Sequence, residues 1–187
     1  MEALEAIYNR RSIRSFQKTK VEEDIIIQLL KSAVSAPTAV NAQPWEFIVV
    51  TEDKILSDLR DKLIFARYEA PCSVVVCGNM KLALKGCDRD LWIEDCSAAT
   101  ENMLISATAL GLGSLWIGIY PIESRIKAVR NILNIPDYVI PLNMVYFGYA
   151  NEIKEGRSRY NEKRIYWQSY DPDRKHKSKD KPVIGHY

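Results

Sequence analysis

Arg10-Arg11-Ser12-Ile13-Arg14 places three guanidinium groups and a hydroxyl within five residues. Arginine offers a rigid fork of N–H donors matched to phosphate or carboxylate, and a serine hydroxyl adds one more hydrogen bond to the same anion. That is equipment for holding a phosphate dianion, although a solvated basic surface uses the same residues. Two distant segments add to it. Ser35-Ala36-Pro37-Thr38-Ala39-Val40-Asn41-Ala42-Gln43-Pro44-Trp45 is a small-residue loop bounded by prolines, and Gly156-Arg157-Ser158-Arg159 supplies two further arginines behind a glycine. No catalytic acid, base or nucleophile stands beside them. Cys72, Cys77, Cys87 and Cys96 form no CxxC pair, and His176 and His186 both lie in the tail. That pattern suggests neither zinc nor an iron–sulfur cluster, so no metal is expected, and it leaves a thiol nucleophile without an internal histidine to activate it.

The elements around these segments follow from periodicity. Glu2 to Asn9 has Leu4, Ile7 and Tyr8 at helical spacing, so the arginine cluster follows a short helix. A second helix opens on acidic Glu22-Glu23-Asp24 and runs to about Ser35, with Ile25, Ile26, Leu29, Leu30 and Val34 on its buried side and Pro37 as its stop. Glu46 to Val50 and Ser73 to Cys77 read as strands, the second apolar throughout and therefore covered on both faces. Lys54 to Ala66 reads as helix. The longest helix spans Ile93 to Ala109, where Ser97, Ala98, Ala99, Ser106 and Ala107 allow close approach of a neighbour, and Gly111-Leu112-Gly113 ends it. Ser114 to Gly118 follows as a strand, Ser124 to Leu133 as a helix capped by Ser124 and stopped by Pro136, and Pro141 to Tyr149 as a further strand. Helices intermixed with strands, without repeats, give an α+β sandwich around one sheet.

A chain of 187 residues holds one domain with a proper core, and 47% hydrophobic with 27% charged residues is ordinary for a globular protein. The net charge of +2 does not argue for nucleic acid, and Asp171, Asp173 and Asp180 interrupt the basic tail. No signal-peptide pattern opens the sequence and no apolar run approaches about 18 residues, so an intracellular, cytoplasmic protein without a membrane partner is expected. No Gly-x-Gly-x-x-Gly or Walker loop occurs; Gly111-Leu112-Gly113 ends a helix instead of opening one.

In order and spacing, these motifs resemble the nitroreductase family of FMN-dependent NAD(P)H oxidoreductases, over about residues 1–168. The carriers are Arg-Arg-Ser-x-Arg with Phe16, then Ala36-Pro37-Thr38 through Gln43-Pro44-Trp45, with Thr38 where serine is usual. The central helix, Ala109-Leu110-Gly111-Leu112-Gly113, Trp116-Ile117-Gly118, Gly148-Tyr149 and the later Arg-x-Arg complete the set. The resemblance implies a small family member: a nitroreductase-like sandwich with a mixed central sheet flanked by helices, over residues 1–170, followed by a charged tail, 171–187. It also implies a homodimer with FMN at the subunit interface and an exchanged C-terminal arm.

Site residues carry over one by one. Arg10, Ser12, Arg157 and Arg159 would grip the FMN phosphate and ribityl chain, with Arg11 nearby. Arg14 falls where a cation faces N1 and O2 of the ring and stabilises the negative charge that reduction places there. Pro37, Thr38, Ala39 and Asn41 match a loop that reaches the flavin from the partner subunit, and Gln43 bonds the ring or holds the loop. Ile117 and Gly118 match the turn along the ring near N5, where glycine permits close approach. The chain departs from relatives that carry a glutamate here. Asp95, Glu101 and Asn102 are read as structural. Tyr160, Tyr166, Trp167 and Tyr170 form an arm against a partner, or alternatively a substrate wall.

The implied activity is ping-pong hydride transfer from NADH or NADPH through FMN to a small-molecule acceptor such as a nitro-compound or quinone, with the cofactor carrying the chemistry. Two alternatives remain: a flavin-binding or sequestering protein without turnover, and a specialised dehalogenase-like or flavin-consuming relative. The short charged stretch Asn79 to Leu91 offers no large lid for the latter.

Overall fold

The computed structural model describes residues 1–156 and 158–174. The chain separates into two compact units, Met1–Gly156 and Arg157–Tyr187. Arg157 and residues 175–187, with most of the tail's basic residues, lie outside the described residues.

In the first unit, the apolar run Cys72–Asn79 forms β2, buried at every position and central to the sheet. Its neighbours are β1 (Trp45–Val50) and β4 (Val139–Gly148), and β3 (Gly113–Gly118) lies beyond β4, giving the order β1-β2-β4-β3. These strands pair antiparallel throughout. A mixed sheet was the expectation; its parallel component here is an isolated bridge from Ser12 to Ser114. Antiparallel sheets commonly leave one face wet, but β2 reads as continuous apolar sequence because helices cover both faces. Val75, Cys77, Met144 and Tyr146 point into one core with Leu56, Leu59, Ile126 and Val129. These last four belong to α3 (Asp53–Lys62) and α5 (Glu123–Leu133). Val74, Val76, Val145 and Phe147 point the other way, into a core with Ile26, Leu29, Trp92, Cys96 and Met103, which α2 (Glu23–Ala33) and α4 (Trp92–Ala109) supply. The strand period of two thus feeds two cores.

The buried residues of α4 are Trp92, Asp95, Cys96, Ala99, Thr100, Met103, Leu104 and Ala107, a continuous helical stripe in which small residues bring the helix close to the sheet. Cys72, Cys77 and Cys96 are buried with thiols pushed up to about 12 by desolvation, and behave as small hydrophobes; Cys87 is exposed.

Several boundaries differ from the sequence expectation. Helix α2 ends at Ala33, and the expected helix through Ala66 stops at Lys62, with a 3₁₀ turn at Ile64–Ala66. Ser124 lies inside α5, not at its cap, which is Ile122 and makes no side-chain hydrogen bond. Asn134, in the left-handed conformation at φ 53°, ends α5 two residues before Pro136. Helix α1 (Ala3–Asn9) buries Ala6 and leaves Leu4, Ile7 and Tyr8 exposed.

In the second unit a 3₁₀ turn at Glu162–Arg164 is capped by Asn161, and the Tyr166 and Tyr170 rings lie 4.4 Å apart with Arg174 over Tyr166. Tyr160, Trp167 and Tyr170 are exposed.

Candidate flavin site

The arginine segment is pinned by its apolar residues. The Ile13 N–H donates to the Ser114 carbonyl at 3.0 Å, and Ile13 packs against Gly113 so closely that a β-carbon there would lie 2.9 Å from it. Three residues on, Phe16 is buried against Gly148 and bridges Ala150. With Ile13 and Phe16 turned inward, Arg14 and Ser15 are left exposed and Arg10, Arg11 and Ser12 half-buried. Glycines 113 and 148 therefore serve the site from beneath, by admitting the two anchors.

Each arginine has a distinct setting. Arg10 caps the C-terminus of α1, and its Nε lies 3.8 Å from Glu101 Oε1 on α4. Arg11 donates from Nε to the Glu155 carbonyl at 3.0 Å and from Nη1 to the Arg10 carbonyl at 2.6 Å, while its buried Nη2 has no hydrogen-bond partner among the described residues. The Arg14 and Ser15 N–H groups both donate to Glu152 Oε1, at 2.5 and 3.2 Å. Those donors, the Arg14 N–H first and Lys154 next, hold the Glu152 carboxyl below its ordinary range. Lys154 bridges Glu152 Oε1 at 2.9 Å and the Ser12 carbonyl at 2.7 Å. The segment after β4 thus clamps the backbone of residues 12–15, leaving the Arg14 side chain free of any carboxylate partner among the described residues.

The proline-bounded loop is held from α4. A 3₁₀ turn spans Ala39–Asn41, with Val40, Asn41 and Gln43 at φ 43°, 59° and 48°. Left-handed conformations cost non-glycine residues, most of all a β-branched one, so tertiary bonds must hold them. Asp95 Oδ1 accepts from the Ala39 N–H at 2.8 Å, Thr38 Oγ1 from the Gln43 N–H at 3.2 Å, and Asn41 Oδ1 from Gln43 Nε2 at 3.1 Å. Gln43 therefore holds the loop. Val40 stands 83% exposed at its tip, and Pro37 is exposed beside Thr38. Desolvation raises the Asp95 carboxyl, the Ala39 N–H opposing it. Asp95→Ala leaves that N–H unpaired and is expected to weaken FMN binding about fivefold, whereas Asp95→Asn keeps an acceptor and stays within about twofold; a flavin-fluorescence titration of both separates the cases.

At the far end of β3, Ile117 is buried in the core and Gly118 is exposed, with no atom within 4 Å of where a β-carbon would stand. Among the described residues no contact demands glycine there, so the open space above it suits a ligand. From Ser114 to Gly118 the strand spans about 14 Å, a separation of the order of an extended flavin mononucleotide. The Gly118 carbonyl accepts from Arg125 Nη1 at 3.1 Å, and the Arg125 guanidinium lies 3.7 Å over the Phe65 ring.

The first unit thus joins Arg10, Arg11, Ser12 and Arg14 to one end of β3 and Ile117 and Gly118 to the other. Among the described residues no hydrogen bond links Pro37, Thr38, Ala39, Asn41 or Gln43 to the arginine segment. Arg159 belongs to the second unit, and Arg157 lies outside the described residues. Sequence reading missed Glu152, Lys154, Glu155, Arg125 and Phe65, and it gave Asp95 and Glu101 structural roles without their partners. The residues present fit a phosphorylated flavin: among the described residues the buried Arg11 Nη2 has no hydrogen-bond partner at one end, and the Gly118 turn is uncovered at the other. No group of three acidic, cysteine or histidine side chains among the described residues could hold a metal.

The nitroreductase family model matches residues 7–68 and 65–149, and the chain belongs to that family. It is 40% identical over 174 residues to an Archaeoglobus fulgidus protein provisionally named NADH dehydrogenase/NAD(P)H nitroreductase, covering 90% of this chain and 99% of the relative. It is 26% identical to the FMN reductase (NADPH) of Bacillus subtilis, over 89% of this chain and 73% of that one. The crystal structure of a similarly named protein of Parabacteroides distasonis superposes with a TM-score of 0.84 at 36% identity, covering 90% of this chain and 98% of the other.

Proposed function

We propose that the chain is an FMN-dependent NAD(P)H oxidoreductase that passes a hydride, by a ping-pong cycle, to a small-molecule acceptor such as a nitro-compound or quinone. The observation that carries it is the arginine segment fixed at one end of β3 and the open Gly118 turn at the other. Family membership and the names of the relatives support the same reading.

FMN, when bound, supplies the hydride chemistry, accepting and returning two electrons at its ring. Arg10 and Ser12 hold the phosphate with charge-assisted hydrogen bonds, and Arg11 fixes the Glu155 carbonyl beside them. Arg14, its backbone locked by Glu152, places a cation where reduction adds negative charge. Gly118 admits the ring closely. Pro37, Thr38, Ala39 and Asn41 approach from the partner of a homodimer, and the outward apolar face of α1, Leu4, Ile7 and Tyr8, is consistent with such an interface. The flavin-binding part spans residues 1–170 of a cytoplasmic enzyme, with 171–187 as its charged tail; among the described residues no helix is long and apolar enough to cross a membrane.

The test is the visible spectrum of the purified protein before and after NAD(P)H without oxygen. A yellow band that bleaches on addition is the expected result. A yellow protein that does not bleach supports flavin binding without turnover, and a colourless one that refuses FMN sinks the proposal.

A further inference from the structure

Arg125 is held at the rim of the Gly118 turn by two constraints. One Nη1–H donates to the Gly118 carbonyl at 3.1 Å, and the guanidinium carbon sits over the Phe65 ring, 3.7 Å from its centroid. A guanidinium has five N–H donors, and one hydrogen bond leaves most of them uncommitted. Arg10, Arg130 and Arg174 each have a carboxylate within 4.0 Å, but among the described residues Arg125 has none. It is half-buried, and desolvation pulls its pKa below the ordinary value. A cation that is partly desolvated, set over an aromatic ring and, among the described residues, left without a carboxylate partner is poised for an anion brought by another molecule. Phe65, 39% exposed, adds an apolar surface to the same platform. Its bond to the Gly118 carbonyl sets Arg125 beside the turn, where among the described residues no atom lies within 4 Å of the Gly118 β-carbon position.

We propose that Arg125, stacked on Phe65 and tethered to Gly118, binds an anionic group, phosphate or carboxylate, of the molecule that exchanges electrons with the flavin. The inference rests on the FMN reading of the site. Its role is selectivity: an anionic partner is held with its reactive part over the turn, and a neutral one gains nothing. A purely structural Arg125, serving only to hold the Gly118 carbonyl, would affect charged and neutral partners alike.

The test uses the FMN-loaded enzyme, titrated with 4-nitrobenzoate against nitrobenzene and with NADP⁺ against NAD⁺, reading the flavin absorption change. Arg125→Gln keeps a donor and removes the charge. It is expected to weaken the more anionic member of one pair about fivefold relative to its counterpart, the difference shrinking at high salt. Selective loss for nitrobenzoate assigns the acceptor's carboxylate, and selective loss for NADP⁺ the donor's phosphate. Phe65→Leu, which frees the guanidinium from its platform, is expected to lower the same selectivity, and Arg125→Lys to restore part of it. Equal weakening of all four probes, or no change in any, overturns the proposal while leaving the flavin reading intact. A wild-type protein that takes up no FMN overturns the flavin reading, and this inference with it.

Discussion

An Arg10→Ala protein is expected to bind FMN about thirtyfold more weakly than the wild type, with almost no change in fold stability. A hydrogen bond to a charged group is worth about 1.5–3 kcal/mol, and each 1.4 kcal/mol is about a factor of ten in affinity. Arg10 stands at the C-terminus of α1 with Glu101 near its Nε, so its direction is set before any ligand arrives. Preset direction raises the value of the contact, because little side-chain freedom remains to be lost. The ion pair with Glu101 is itself wet, with the carboxylate side chain 52% exposed, and such pairs contribute less than about 1 kcal/mol. Thermal unfolding of the apoprotein should therefore shift by no more than about 4 °C. Arg10→Lys keeps the charge without the planar fork and is expected to fall between the two. Calorimetric titration with FMN measures all three; equal affinities would remove Arg10 from the phosphate site.

How much of this was legible in the sequence depends on the range of each interaction. The all-apolar β2 and the small-residue stripe of α4 announced themselves because burial on both faces, or close helix packing, imposes a local pattern. The arginine segment stood out as a candidate for the same reason: its guanidinium groups and hydroxyl sit within five residues. Periodicity showed that α1 has an apolar face but not where that face looks, and Leu4, Ile7 and Tyr8 look outward. The partners that fix the site were invisible. Glu152 meets the Arg14 N–H across 138 residues, and Asp95 meets the Ala39 N–H across 56. Pairings of that separation leave no periodic trace. One clue was available for Asp95, an ionisable residue between Trp92 and Cys96 on a buried stripe, since a carboxylate placed there requires a donor. Glu152 and Lys154 offered none, for an acidic and a basic residue after a strand read in sequence like any solvated loop.

Gly78→Ala is expected to cost about 3 kcal/mol of stability, lowering the melting temperature by roughly 6–12 °C. Gly78 lies on the central strand, paired with Trp45 of β1 and Ile140 of β4. A β-carbon there would overlap Cε3 of the Trp92 indole and stand 2.9 Å from Cδ2 and Cζ3. Neither side can yield cheaply. The strand is fixed by hydrogen-bonded neighbours on both edges, and Trp92 is 2% exposed, meeting Tyr120 edge to face with ring centroids 5.2 Å apart. The damage should also reach the site, because Trp92 seats the start of α4 three residues before Asp95, which holds the proline-bounded loop. A double-mutant cycle with Trp92→Phe identifies the cause. Phenylalanine lacks the fused ring that carries Cε3 and Cζ3, so Gly78→Ala in that background should cost at least about 1 kcal/mol less than in the wild type. An additive cycle would instead place the penalty in the strand backbone, with the indole merely a bystander.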